Sequence, residues 1–467
     1  MRTWPLLIVL GVVTNASAQT EAPAPSAPPA APPSVEDTAK QLSAMRDEIR
    51  ATLERLARQE AELQKMKAEL AAKLTAPPPP PPPPPLAPTQ PKPQAWYERI
   101  SIRGYTQVRY NAPGGVYNDK LINEQGDKSI GGNGGFLIRR ARLILSGDIS
   151  PYLSIYLQPD FASAIGEQLS VTILRDWYAD IFLDKKREFR FRVGQSKVPY
   201  GFENMQSSSN RVPLDRNDAL NSAVKDERDL GIFFYWAPAH IRKRFAYLVE
   251  SGLKGSGDYG VIALGIFNGQ TANRIELNKF PHAIARVTWP FAIRSQLLEL
   301  SAGGYYGRYT VKLEDAKDGT KFTSTQADNT FHDARAHVSA VLYPKPFGFT
   351  FEYNVGIGPQ LGVNNPTVVG NRFLHGGYLT LMYKIDHPLK TVAMIPYVRG
   401  QLYDGGKKFF NNAPHYQIRE IEIGLEWQVL KALEVVLAYM ISDRTSDKYP
   451  YNQEYGHLTR LQVQFNY

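Results

Sequence analysis

From Trp96 onward, apolar and polar positions alternate in segments of about ten residues, punctuated by Gly, Asn, Asp and Pro. In the stretch 99–110, Ile100, Ile102, Thr106 and Val108 oppose Arg103, Tyr105, Gln107 and Arg109. In 136–150, Ala141, Leu143, Leu145, Gly147 and Ile149 oppose Arg140, Arg142, Ile144, Ser146 and Asp148. Further along, Trp177, Ala179, Ile181 and Leu183 oppose Asp176, Tyr178 and Asp180, and Phe189, Phe191 and Val193 oppose Arg190 and Arg192. The same period runs through Ile421, Ile423, Leu425 and Trp427 against Glu420, Glu422 and Glu426. It returns in Leu461, Val463, Phe465 and Tyr467 against Arg460, Gln462, Gln464 and Asn466. A period of two predicts strands with one greasy and one polar face. Water around a soluble sheet satisfies such a strand, and so does the water-filled lumen of a membrane barrel.

The rest of the chain favours the barrel. The N-terminus carries Arg2, an apolar run from Trp4 to Val13 and a small-x-small site at Ala16–Ala18, which reads as a secretory signal peptide over residues 1–18. Beyond it no apolar run is long enough for a membrane helix, so a membrane protein of this sequence crosses with strands. The 26 tyrosines and 21 phenylalanines suit strands. Trp96, Tyr97, Tyr110, Tyr152, Trp236, Trp289, Tyr305, Tyr306 and Tyr467 fall near expected strand ends, where interfacial girdles form. Residues 96–467, at about 23 per strand and loop, give an all-β transmembrane barrel of about 16 antiparallel strands.

Three segments separate the signal from the barrel. Residues 19–33 are rich in Pro and Ala and read as disordered. Residues 34–75 carry Leu42, Ile49, Leu56, Leu63 and Leu70 every seventh position, with Met45 and Met66 at the companion position, and Ser34 with Asp37 as a capping box. This predicts a periplasmic α-helical coiled coil about 60 Å long. Residues 76–95 form a polyproline linker, a semi-rigid spacer of about 55 Å.

Charge narrows the chemistry. Residues 19–95 are neutral, with nine basic and nine acidic side chains, whereas 96–467 hold 44 Lys/Arg against 36 Asp/Glu. For an exported chain, that excess points to anionic solutes and lipid and away from nucleic acid. With no cysteine there are no disulfides and no thiolate metal sites. The eight histidines form no helical ligand pair, no nucleophile elbow appears, and Ser207–Ser209 reads as loop. No catalytic, cofactor or metal site is expected.

In order, "FLIRRARLILSGDISPYLSIYLQPDF", "RDWYADIFL", "FRVGQSKVPYGFENMQSSSN" and "ERDLGIFF" resemble the phosphate-selective porin O and P family, as do "IPYVRGQLYDGGKK" and "QIREIEIGLEWQVLKALEVVLAYM". The resemblance spans Trp96 to Tyr467 and is strongest from Phe136 to Phe234. It implies a 16-stranded outer-membrane barrel, a homotrimer, and a pore narrowed by an inward loop, here Lys197 to Arg228. It also implies passive diffusion of inorganic anions, phosphate or polyphosphate among them, past lumen-facing arginines. Arg140 and Arg142 carry over as wall arginines by motif; the lysines of the family's phosphate site are not carried over.

The expected pore-lining cations are Arg103, Arg109, Arg140, Arg142, Arg190 and Arg192, with Lys197, Arg211, Arg216, Lys225 and Arg228 on the constriction loop. The competing reading pairs them with Asp148, Asp160, Asp176 or Asp180 as wall braces. Arg139 shares the apolar face and is expected at the strand's end among lipid headgroups. A structural alternative is a tether, in which helix and spacer contact the cell wall; a less selective general porin is another.

Overall fold

The computed structural model describes residues 35–75, 95–117, 134–165, 168–362, 365–446 and 452–467. The expected signal peptide, the 19–33 segment, Ser34 and the proline linker up to residue 94 lie outside the described residues. The chain divides into two units, Met1–Gln90 and Pro91–Tyr467.

In the first unit, α1 (Val35–Thr75) is one continuous helix of 41 residues. It has no interior Gly or Pro, and Thr52 folds its hydroxyl back onto the Glu48 carbonyl at 2.7 Å. Leu42, Ile49, Leu56, Leu63 and Leu70 are each more than half exposed, so among the described residues nothing of this chain covers the heptad seam.

The second unit is a closed antiparallel barrel of 16 strands. They are β1 (Ile100–Tyr117), β2 (Gly135–Ser150), β3 (Leu153–Ile165), β4 (Gln168–Phe182), β5 (Phe189–Lys197), β6 (Arg228–Trp236), β7 (Ile262–Phe267) and β8 (His282–Ile293). They continue as β9 (Gln296–Thr310), β10 (Thr330–Leu342), β11 (Phe347–Leu361), β12 (Val368–Tyr383), β13 (Ala393–Gly406), β14 (His415–Leu430), β15 (Leu433–Ser446) and β16 (Asn452–Asn466). Each pairs with the next, and β16 returns to β1 from Tyr105↔Asn466 to Tyr117↔Tyr455. Closure satisfies every ladder in hydrocarbon, where an open edge would be costly. At the seam the Gly104 and Tyr467 main chains exchange hydrogen bonds, and a Cβ on Gly104 would meet the Tyr467 ring at 2.5 Å. Glycine is required there for the aromatic to lie flat.

The faces follow the alternation. Ile102, Trp177, Ile181, Phe191, Ile421, Ile423, Leu461 and Phe465 are exposed on the outer wall. Arg109, Arg140, Arg142, Asp176, Asp180, Arg190, Arg192, Glu420, Glu422, Arg460 and Gln462 are buried on the inner one. Trp96, Tyr97, Tyr110, Tyr152, Tyr306 and Tyr467 are exposed, as girdle residues require. Tyr305 is not: it is buried and turns its hydroxyl to Asp333 Oδ1 and the Ala223 carbonyl inside the barrel. Adjacent Tyr305 and Tyr306 must face opposite ways on a strand, so only one can join a girdle. Trp236 and Trp289 are half-buried against an inner apolar cluster.

Arg139 also departs from expectation. Across β1 and β2, Gln107 opposes Arg140 but Val108 opposes Ile138, so Arg139 is the extra residue of a β-bulge. The bulge lets Phe136 and Ile138 stay on the lipid face while Arg139 joins Arg140 on the inner side, where its Nη2 lies 3.7 Å from Asp215 Oδ1. It is not a headgroup residue.

Candidate functional site: the lumen and the segments folded into it

Strand parity places Ile100 and Tyr467 at one mouth, here the terminal mouth. The chain leaves β5 at the far mouth and turns inward. Residues 198–227 are almost wholly buried, and their polar groups bond to the wall on all sides. Glu352 Oε2 on β11 accepts from the Phe202 and Glu203 amides at 2.8 and 3.2 Å. Arg399 on β13 grips Glu203 at 2.9 Å, and Lys407 grips Asp218 at 2.8 Å. Arg335 on β10 donates to Ser222 Oγ at 2.7 Å, and Arg142 on β2 to Ser208 Oγ at 3.1 Å. The loop thus bridges opposite walls and narrows the lumen. Within it, α2 (Asp218–Ala223) is capped by Asn217, whose Oδ1 accepts from the Leu220 amide at 3.0 Å.

One carboxylate organises the loop cations. Burial alone would raise the pKa of Glu227, but Lys197, Arg216, Arg228 and Arg211 hold it well below the usual carboxylate range. Arg228 Nη1 lies 2.7 Å from it, Arg216 Nε 3.1 Å, Lys197 Nζ 3.4 Å and Arg211 Nη1 3.8 Å. Four of the five loop candidates therefore converge on one anion. Lys225 is half-buried, and its carbonyl accepts from Thr271 Oγ1 at 2.8 Å.

The wall arginines form two groups. Arg109 is fully buried and bonds Asp215 Oδ2 at 2.8 Å and Gln462 Oε1 through two nitrogens. Arg140 donates to Gln107 Oε1 at 2.7 Å, sits 4.0 Å from Asp215 Oδ1, and has a buried Nε without a hydrogen-bond partner among the described residues. Arg460 completes this group on Asp215 and Glu422. The second group is braced: Arg142 on Asp160 at 2.8 Å, Arg192 bidentate on Asp180 at 2.8 and 2.9 Å, and Arg190 on Asp258 at 2.7 Å. Arg228 binds Asp176 at 2.9 Å. The pairing with Asp160, Asp176 and Asp180 is thus present, and the same arginines still face the lumen. Asp148 pairs instead with Arg187. Arg103 is exposed at the terminal mouth and has no ion pair among the described residues.

A second segment, 237–261, enters the barrel from the terminal mouth. Its α3 (Ala239–Glu250) buries Ile241, Phe245 and Leu248 against Phe202, Leu253, Leu297 and Tyr343. Its returning stretch accepts hydrogen bonds from the far-mouth loop: Gln206 Nε2 donates to the Lys254 carbonyl at 2.6 Å and Asn210 Nδ2 to the Gly255 carbonyl at 2.7 Å. Lys254 pairs with Glu426. Between the two segments lies a cavity of about 560 Å³ bounded by Arg103, Arg142, Arg192, Lys197 and Arg228.

Sequence reasoning missed Asp215, Glu227 and the inserted 237–261 segment, and it did not select Arg175, Arg286, Arg335, Arg399, Arg444 and Arg460. Most of those arginines stand at polar positions of alternating strands, so the same period that selected Arg140 marks them too. The inserted segment had one legible signal: a connection of 25 residues, 237–261, where those on either side of it at this mouth, 183–188 and 294–295, are six and two residues long.

No curated protein matches the chain. Among solved structures, it is similar to the outer membrane channel DcaP of Acinetobacter baumannii, with 11% identity, TM-score 0.47, and 79% of this chain and 97% of that one covered. An anion-selective porin from Comamonas acidovorans gives 10% identity, TM-score 0.47, and coverage of 79% and 99%. OmpT of Vibrio cholerae in its trimer form gives 11% identity, TM-score 0.45, and coverage of 79% and 99%. The family model of phosphate-selective porin O and P matches residues 114–467, which is all but the opening of the barrel. The chain belongs to that family: it is an outer-membrane channel and not an enzyme.

Proposed function

We propose that the barrel passes small inorganic anions, phosphate and polyphosphate among them, by diffusion past lumen-facing guanidinium groups. The observation that carries this reading is the cluster around Asp215. Arg109, Arg139, Arg140 and Arg460 all lie within 4.0 Å of that single carboxylate, and Arg211 of the loop is within electrostatic reach of Arg140. Cations in such excess hold a positive potential in the narrowed lumen, and planar guanidinium forks suit phosphate oxygens. Braced arginines serve the same end, because a fixed donor loses little entropy on meeting an anion. Arg109, Arg190, Arg192, Lys197, Arg216 and Arg228 line the path in this reading, with Arg103 at its exit. Single-channel recording in a potassium chloride gradient tests it. The reversal potential should lie toward chloride; a value at or on the potassium side of zero refutes it.

The helix belongs to the same proposal. After signal cleavage near Ala18 it lies in the periplasm, and its exposed seam packs on copies of itself as a coiled coil within a homotrimer. Deleting residues 34–93 separates this role from tethering. Loss of the trimer with an intact envelope supports self-association, whereas a leaky envelope around a persisting trimer supports cell-wall contact.

A further inference from the structure

The cavity between the two inserted segments has a lining that inorganic anions do not use. On its wall Tyr156 of β3 and Tyr178 of β4 stack with centroids 5.0 Å apart and planes 9° from parallel. Tyr178 faces Arg192 of β5 on its other neighbouring strand, with the guanidinium 3.8 Å from the ring centroid. The two-pronged bond to Asp180 fixes that guanidinium, so the row is rigid. Tyr259, carried in by the 237–261 segment, lines the same space. The hydroxyls of Tyr178 and Tyr259 have no hydrogen-bond partner among the described residues. At the open edge, Arg103 and Lys431 are exposed and unpaired among the described residues.

A hydrated phosphate would gain from the two cations and nothing from flat ring faces. A ring bearing a charged group gains from both, because aromatic faces attract each other in offset or edge arrangements. A volume of about 560 Å³ admits such a solute with some of its water. We propose that this chamber is a binding subsite for aromatic carboxylates and sulfonates, with the ring against Tyr156, Tyr259 and the edge of Tyr178 and the charge toward Arg103 and Lys431. This rests on the anion-conducting reading of the pore and names a solute class within it.

The test is block of chloride current through the full-length channel in a planar bilayer. Benzenesulfonate and methanesulfonate carry the same headgroup and stay charged at every working pH, so they differ only in bearing a phenyl ring or a methyl group. Benzenesulfonate should block at roughly tenfold lower concentration, the order expected of one or two aromatic contacts. Tyr259→Leu should bring the two blockers together, and Tyr156→Leu serves if the first variant does not assemble. Tyr383→Leu, on the outer wall, should leave the difference intact. Equal block in the wild type overturns the proposal, as does a difference that survives in both tyrosine variants. Reversal potential in plain potassium chloride is read beside it. A cation-leaning value sinks the anion channel itself, whereas equal block at an anion-leaning value sinks only the aromatic subsite.

Discussion

Asp215→Asn removes the carboxylate that four guanidiniums share. Asp215 Oδ2 meets Arg109 at 2.8 Å and Arg460 at 2.5 Å, while Oδ1 stands 3.7 Å from Arg139 and 4.0 Å from Arg140. The amide keeps the shape and loses one negative charge. At about 6 Å from a permeating ion in water, one unit charge is worth about 0.7 kcal/mol, or roughly threefold in local ion concentration. Chloride then gains about threefold and potassium loses about threefold, so the permeability ratio moves by roughly tenfold. Bilayer recording in a potassium chloride gradient reads this as a reversal potential closer to the chloride limit. Breaking a buried pair by removing one partner also costs about 3–5 kcal/mol, so the folded barrel should lose its compact gel mobility at lower temperature. Asp148→Asn is the control, because its pair with Arg187 is far more exposed and such pairs contribute about 0–1 kcal/mol. A reversal potential that stays fixed, or moves toward potassium with larger conductance, would show that Asp215 ties down the loop and does not set the charge of the path.

Deleting Arg139 should leave a folded, inserted barrel, since losing the bulge residue keeps Phe136 and Ile138 outward and Arg140 inward; an alanine inserted after Leu143 should abolish folding. Heat-modified gel mobility distinguishes the two. Gly194→Ala should lower the heat-dissociation temperature, because Gly194 has φ +127° and an added Cβ would stand 2.3 Å from the Trp177 carbonyl oxygen. The strain is of order 1–3 kcal/mol. Lys408, beside Asp333, should make selectivity pH-dependent. Burial lowers its pKa to about 8 although Asp333 pulls the other way. The charge is therefore present at pH 7 and lost by pH 9.5, and anion preference should fall across that window in wild type but less in Lys408→Met. The unfolded chain keeps this proton up to about pH 10.4, so stability rises with pH between the two values. Thermal dissociation measured at pH 7.5 and 9.5 checks the sign.

Alternation determined the barrel. A closed sheet between lipid and water needs an apolar residue at every second position, and that requirement is written locally, strand by strand, through Ile102, Trp177, Phe191, Ile421 and Phe465. The same local rule placed Arg140, Arg142, Arg190 and Arg192 on the inner wall and would have placed Arg460 there too. It failed at Arg139 and Tyr305 for opposite reasons. A bulge shifts the period by one, and its trace here, outward positions passing from Phe136 and Ile138 to Ala141 and Leu143, is blurred because Leu137 is apolar too; a pair of adjacent tyrosines gives no hint of which one faces in. The heptads likewise determined the helix, which is local, but not its partners, which are not.

Asp160, Asp176 and Asp180 were legible as partners on the strands, but the loop carboxylates that bind the other arginines came only from the tertiary structure. Asp215 and Glu227 sit in a loop with no period, and they matter because that loop folds back across the lumen to meet residues such as Arg109 and Arg460, far away along the chain. The chamber between the two inserted segments exists only because one enters from each mouth. Sequence determines which face of a strand is wet, since that is a property of neighbours along the chain. Which charges meet in the wet interior depends on loop closure across the barrel, and only the folded chain decides it.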